Sequence, residues 1–183
     1  MLVKHILERP ECRLPLVVPR EDGKNVPYFI TIHETGTGLE KAPANRTAEH
    51  YIQLLENPKG DPRCAYHFLC EDDKVWQFLP TWVRTAHSGS TGGNSSIGSE
   101  RLGNVNIDFD KAIQNQARLT ATLMHMYNIP IGNVVPHKHW SGRECPARLL
   151  AGLYGWNWDM FILTVLDFYD RKDFILGVDE DVK

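Results

Sequence analysis

No stretch of this chain approaches the roughly 18 uninterrupted apolar residues that span a bilayer. The best run, Trp156 to Tyr169, is broken by Asp159 and Asp167, so the sequence reads as soluble, with no membrane insertion. A long basic run is missing too, and the formal net charge is −3. The phosphate-neutralising footprint of a general nucleic-acid binder is therefore absent, and nucleic acid is not expected as a partner. Cysteine is sparse: Cys12, Cys64, Cys70 and Cys145 show no framework spacing, which predicts reduced thiols or a metal ligand instead of disulfides. Met1 to Arg9 lack both the apolar segment and the small-residue cleavage site of a secretory leader, which predicts synthesis into the cytoplasm. Internal repeats and long low-complexity linkers are likewise not seen.

What is present suits one globular domain. The 183 residues are 42% hydrophobic, 23% charged and 10% aromatic, enough to bury a core without disulfide staples. Residues 1–26, rich in proline and charge, predict an extended arm whose Leu16-Val17-Val18 packs on the body. Residues 27–172 are expected to form the domain proper, and 173–183 a polar tail or the stub of a linker.

Tyr28 to His33 is β-branched and aromatic, bounded by Pro27 and Gly36, and predicts a buried strand ending at a histidine. Apolar spacing predicts a helix over 44–56. Two antiparallel strands are expected at 64–70 and 75–79 across Glu71-Asp72-Asp73-Lys74. A glycine- and serine-rich loop from His87 leads to a short strand at Ser96–Glu100. Asp110 is expected to cap a helix running to about Asn128, followed by a strand over 133–136 and helical structure over 147–169 with a break near Gly152 or Gly155. Strands and helices interleave, so the predicted class is α/β, with a central mixed β-sheet flanked by helices.

Among eight histidines, position narrows the field. His33 ends a strand, His137 follows one across Pro136, and Cys145 lies eight positions further on. Three metal-capable groups at strand ends can converge above one edge of a sheet. Two imidazoles and a thiolate suit Zn²⁺, and three protein ligands leave a fourth position for water, as in catalytic sites.

The segment Val134 to Pro146, with Asn128-Ile129-Pro130 before it, resembles the zinc-dependent N-acetylmuramoyl-L-alanine amidases, particularly prophage endolysins and related autolysins of Gram-positive bacteria. Ile32-His33-Glu34-Thr35-Gly36, Tyr66-His67-Phe68, His87-Ser88-Gly89 and Ser96 to Glu100 match the same family in the same order. The likeness runs from about residue 27 to 170. More distant likenesses are to peptidoglycan recognition proteins and the T7-type lysozyme fold.

The resemblance implies an amidase type 2 fold, one Zn²⁺ per chain on His33, His137 and Cys145, and hydrolysis of the bond between N-acetylmuramic acid and L-alanine in bacterial peptidoglycan by zinc-activated water. It implies Glu100 as the carboxylate that moves protons, although Ser95 and Ser99 depart from the usual residues nearby. Arg143 stands where relatives often carry Lys. A permanent guanidinium charge donates protons poorly, so its implied role is to bind the developing oxyanion. Tyr66 matches a catalytic tyrosine of T7-type relatives, with plain packing as the other reading. If Tyr66 faces the groove, strand alternation turns His67 to the opposite side, as a core histidine.

His87, His139 and Trp140 are the expected substrate contacts, and the other tryptophans are expected to pack. The setting implied is a phage endolysin made in the host cytoplasm and acting on the wall after release, with any wall-binding domain lying outside this chain. An autolysin of the same activity and a non-catalytic peptidoglycan-binding module are the alternatives.

Overall fold

A computed structural model describes residues 3–5, 27–36, 38–56, 66–83, 85, 87–89 and 95–175. The expectations placed on Cys12, on Leu16-Val17-Val18, on Cys64 and on the end of the tail lie outside these residues.

Phe29–Glu34 forms β2, whose last five residues are buried, and Ser96–Arg101 forms β5, buried throughout. Together with β1 (Val3–His5), β3 (Phe68–Cys70), β4 (Val75–Gln77) and β6 (Val134–Pro136) they make one six-stranded sheet in the order β1-β4-β3-β5-β2-β6. Among the described residues only the β3–β4 pair is antiparallel, closed by Glu71 N–H donating to Lys74 O at 2.9 Å. The other pairings are parallel. The sheet is mixed, as the interleaved pattern predicts. Strand β1 was not predicted: three residues are too few for periodicity to register, and they are held by the open edge of β4.

Two helices cover one face. α2 (Phe109–Tyr127) and α5 (Trp158–Arg171) pack with Ile30, Ile32, Phe68, Cys70 and Ile97 into the main core. The other face carries a smaller cluster of Tyr66, Leu69, Trp76, Phe78 and Leu102, against which α1 (Ala48–Glu56) lays Ala48, Tyr51 and Ile52. α1 begins at Ala48 instead of Ala44, because Thr47 Oγ1 accepts from His50 N–H and stops the helix there.

The cap of α2 is Asp108, not Asp110. Asp108 is extended and accepts from Lys111 N–H at 3.2 Å, whereas Asp110 is already inside the first turn and accepts from Trp156 Nε1 at 2.8 Å. The helical stretch over 147–169 breaks where expected, around Gly152 and Gly155, into α4 (Ala147–Leu150) and α5, with α5 restarted by Asn157 accepting from Met160 N–H. A one-turn helix, α3 (Lys138–Ser141), follows β6. Trp76 and Trp156 are buried and Trp158 packs on the main core, as expected, but Trp82 is exposed.

Beneath the carboxyl ends of β2 and β5 lies a buried ionic cluster. Glu34 accepts from Arg101 Nη2 through one oxygen and from Arg148 N–H through the other at 2.7 Å. The Arg148 guanidinium donates to Thr35 O at 2.5 Å, Gly103 O at 3.1 Å and Glu40 O at 3.2 Å, while Arg101 lies over the Phe109 ring. Both arginines are fully buried. Three carbonyls and a carboxylate replace the water that such charges lose on burial.

Gly103 makes room for this cluster: a Cβ there would stand 1.9 Å from Arg148 Nη2 and 2.7 Å from Thr35 O. Gly103→Ala is therefore expected to lower unfolding free energy by about 2 kcal/mol or more, through overpacking and lost hydrogen bonds. The denaturant midpoint checks this, and an unchanged midpoint would contradict the close packing described.

Candidate metal and catalytic site

Parallel register places the chemistry. His33 pairs with Glu100 on β5, and Ile32 pairs with Pro136 on β6, so His33, Glu100 and His137 stand side by side at one sheet edge. The carboxyl ends of parallel strands are where open α/β sheets bind ligands. Alternation sends Ile30, Ile32 and Ile97 into the main core and leaves Thr31, His33, Gly98 and Glu100 on the opposite face. From α2, the fully buried Gln116 donates to His33 O at 3.0 Å and Ser99 O at 2.9 Å, fixing both backbones from behind.

Cys145 reaches this edge by a closed excursion. His137 N–H donates to Ile32 O at 3.2 Å, α3 turns the chain, and Lys138 N–H then donates to Cys145 O at 3.1 Å. One donor atom each from His33, His137 and Cys145 lies within 4.8 Å of the others. Cys145 Sγ is 3.9 Å from His33 Nδ1, and the His33 and His137 rings meet with centroids 4.7 Å apart.

These separations suit a small cation. Tetrahedral bonds of about 2.0–2.3 Å put donor atoms roughly 3.3–3.8 Å apart, so closure about an ion needs only small side-chain movements. The donor chemistry also fits Zn²⁺, with imidazole nitrogen and sulfur and no hard oxygen cage. Burial, with the neighbouring His87, His137 and Arg143, holds His33 well below the ordinary histidine range, and burial and Arg143 lower His137. Both imidazoles are thus kept in the neutral form that ligates. Burial, then the Glu100 carboxylate, pushes the Cys145 thiol up to about 12, and a coordinated cation reverses that by stabilising the thiolate.

Glu100 is buried as well. Burial first and Glu34 second push its carboxyl up to about 8, against the opposing pull of Arg101, Arg143 and Arg148. A carboxyl tuned towards neutrality suits proton transfer in both directions. Arg143 is exposed, yet it lines a recess with Glu34, Gly36 and Cys145, and its charge acts on His33, His137, Glu100 and Cys145.

The other expected site residues differ in burial and in the partners they hold. Tyr66 is buried in the smaller cluster, with its ring stacked on Phe78. His67, expected on the far side of the sheet, has its ring edge-on to His87 at 5.7 Å, and His87 in turn meets His33. The reason is that residues 66 and 67 precede the regular part of β3, so strict alternation does not govern Tyr66. His67 is a bonded core histidine, as expected: Nε2 donates to Val83 O at 2.8 Å and Nδ1 accepts from Gly98 N–H at 2.9 Å.

His87, expected as a substrate contact, is buried and spends both ring nitrogens inside the protein, on His33 and on Ser96 O. His139 is exposed beside Trp140. Trp140 is half-buried, edge-on to Phe29, with Nε1 donating to Thr31 Oγ1 at 2.9 Å. Sequence reasoning missed Gln116, Glu34 and Arg148. The available signal was a polar residue on the apolar face of a strong helix for Gln116, and charges flanking the His33 and Cys145 segments for the other two.

The buried state of His67 sets a pH dependence. Burial lowers it to about 4 in the folded protein, whereas the unfolded chain takes up the proton near 6.5. Its contribution is complete above about pH 6.5 and is lost as pH falls towards 4. Between pH 7 and pH 5 the stability advantage of wild type over His67→Gln is expected to shrink by on the order of 2 kcal/mol. Denaturant titrations at the two pH values measure it, and a difference independent of pH would show that His67 is not held neutral.

Comparison with known proteins agrees with this geometry. The family model described as N-acetylmuramoyl-L-alanine amidase matches residues 23–148. The N-acetylmuramoyl-L-alanine amidase XlyA of Bacillus subtilis (strain 168) is 39% identical over 138 residues, covering 74% of this chain and 43% of its own length. CwlH, an amidase of the same name from the same strain, is 36% identical over 140 residues, covering 74% and 52%. The chain thus spans about half the length of the curated relatives it matches. The solved catalytic domain of XlyA superposes with a TM-score of 0.73 at 31% identity, covering 90% of this chain and 99% of that domain. A family match across most of the sequence, on a fold that gathers two histidines and a cysteine at one sheet edge, makes this chain a member of the N-acetylmuramoyl-L-alanine amidase family.

Proposed function

We propose that this domain hydrolyses the amide bond between the lactyl group of N-acetylmuramic acid and L-alanine in bacterial peptidoglycan, with one Zn²⁺ held by His33, His137 and Cys145. The observation that carries the reading is the convergence of those three donors within 4.8 Å, beside Glu100. A zinc ion bound there supplies Lewis acidity, polarising the amide carbonyl and acidifying water.

The residues around it have separate tasks. Glu100 accepts the proton of the attacking water at its carboxylate and passes it to the departing alanine nitrogen. Arg143, permanently charged and next to Cys145, holds the oxyanion that develops on the carbonyl oxygen. His139 and Trp140, on the turn after β6, contact the glycan or stem peptide. Tyr66 is assigned to packing beneath α1, in keeping with its burial in the smaller cluster.

The setting that suits this activity is a phage or prophage endolysin reaching the cell wall after release. A non-catalytic peptidoglycan-binding module has less support, because Glu100 and the thiol ligand of a catalytic site are both present.

Digestion of purified walls, read by mass spectrometry, is expected to liberate L-alanine amino termini, while new reducing sugar ends would identify a glycosidase instead. Cys145→Ser is expected to lower zinc content and activity together, and retention of both would refute the ligand assignment. Glu100→Gln is expected to keep one zinc per chain while losing about 100-fold or more in turnover, the scale of general acid–base catalysis. An undiminished rate would exclude Glu100 as the proton carrier.

A further inference from the structure

A neutral histidine ligand must expose the correct nitrogen, and something must choose it. Around His33 that choice is readable from hydrogen-bond directions. His87 Nε2 lies 3.2 Å from Ser96 O. A carbonyl only accepts, so Nε2 carries the His87 proton, and in a neutral ring Nδ1 is then a bare acceptor. His87 Nδ1 is 2.9 Å from His33 Nε2. The proton in that bond therefore belongs to His33 Nε2, and His33 Nδ1 is left with its lone pair facing Cys145 Sγ at 3.9 Å.

The His87 ring is itself held in place. It lies against Gly98 so closely that a Cβ there would stand 2.8 Å from His87 Cγ and 2.9 Å from Nδ1. Gly98 is anchored in turn through its N–H to His67 Nδ1, and the His67 ring meets His87 edge-on. The His67 ring spends its own nitrogens on Val83 O and Gly98 N–H, so it makes no claim on the His87 acceptor.

We infer that His87 is a positioning residue of the metal centre: it accepts the His33 Nε2 proton, fixes the tautomer and orientation of that ligand, and does not bind substrate. The inference rests on the reading of His33 as a zinc ligand. Outer-shell partners of zinc histidines are usually carboxylates, backbone carbonyls or water. Here the partner is a second imidazole, backed by the Ser96 carbonyl, which orients His33 without adding a negative charge.

The test uses the full chain loaded with zinc. Long-range ¹⁵N–¹H spectra of the imidazoles are expected to show His33 protonated on Nε2 and His87 protonated on Nε2. A proton on His33 Nδ1 or on His87 Nδ1 would overturn the assignment without any mutation. His87→Phe keeps a ring against Gly98 but removes the acceptor, and is expected to weaken zinc binding 10- to 100-fold in a chelator competition. His87→Asn, whose Oδ1 stands close to the position of Nδ1, is expected to recover most of that loss.

Zinc affinity of His87→Phe within twofold of wild type, or a raised KM with zinc binding intact, would instead make His87 a substrate contact. Wild-type protein that binds no zinc, or binds it equally well as Cys145→Ser, would bring down the metal reading and this inference with it. Unaltered affinity in His87→Phe beside normal Cys145-dependent binding in wild type brings down the inference alone.

Discussion

The buried carboxylate of Glu34 is the joint on which the site depends. It is the last residue of β2, one position after His33, and its two oxygens are shared between Arg101 on β5 and the backbone N–H of Arg148, three positions after Cys145. One side chain thus ties together the strand that carries one imidazole, the strand that carries Glu100 and the segment that carries the thiol. Arg148 extends the joint to the backbone at Thr35, Glu40 and Gly103. Ionic groups buried this deeply are not an efficient source of stability, since desolvation offsets much of the attraction. What they supply is registration: the hydrogen bonds of Glu34 and Arg148 draw on all three segments at once.

Above that joint, burial acts on His33, His137, Cys145 and Glu100 in the same direction, towards the uncharged form. His33 is lowered, Cys145 is raised to about 12 and Glu100 to about 8. For the histidines this is the state that binds a metal. For the cysteine it means that thiolate formation and cation binding are coupled, so the sulfur is a ligand only together with an ion. For Glu100 it means a carboxyl whose charged and uncharged forms are brought closer in energy near neutral pH, which suits a group that takes up a proton and then gives it up. The same low-polarity surroundings therefore suit both ligation and proton transfer, by different routes.

Much of the architecture is legible in local sequence because it rests on local physics. The β-branched run at Phe29–Glu34 and the apolar stripe of Phe109–Tyr127 announce a buried strand and a core helix, and Val134–Pro136 announces the strand before His137. Where local signals compete, the structure chooses by hydrogen bonding: Asp108 takes the cap because its carboxylate reaches Lys111 N–H, and Asp110 is engaged by Trp156. Edge strand β1 has no local signal, because pairing with β4 is its reason for being a strand. The burial of His87 is another outcome without a local signal. A histidine opening a glycine-rich loop reads as a surface residue, and its burial follows from the close approach that Gly98 permits.

By itself the sequence determined the kinds of group available: two imidazoles and a thiol at the ends of strands, a carboxylate closing another strand, and an unchanging cation two positions before the cysteine. Those depend on residue identity and on short-range periodicity, which are written in the chain. Tertiary structure alone decided which histidine nitrogen faces the sulfur, which histidine is hydrogen-bonded to another, and which arginine is a buried clamp while another stays exposed beside the site. Each of those depends on parallel register and on partners 45 to 114 residues distant in the chain, and no local pattern encodes a hydrogen bond made across such separations.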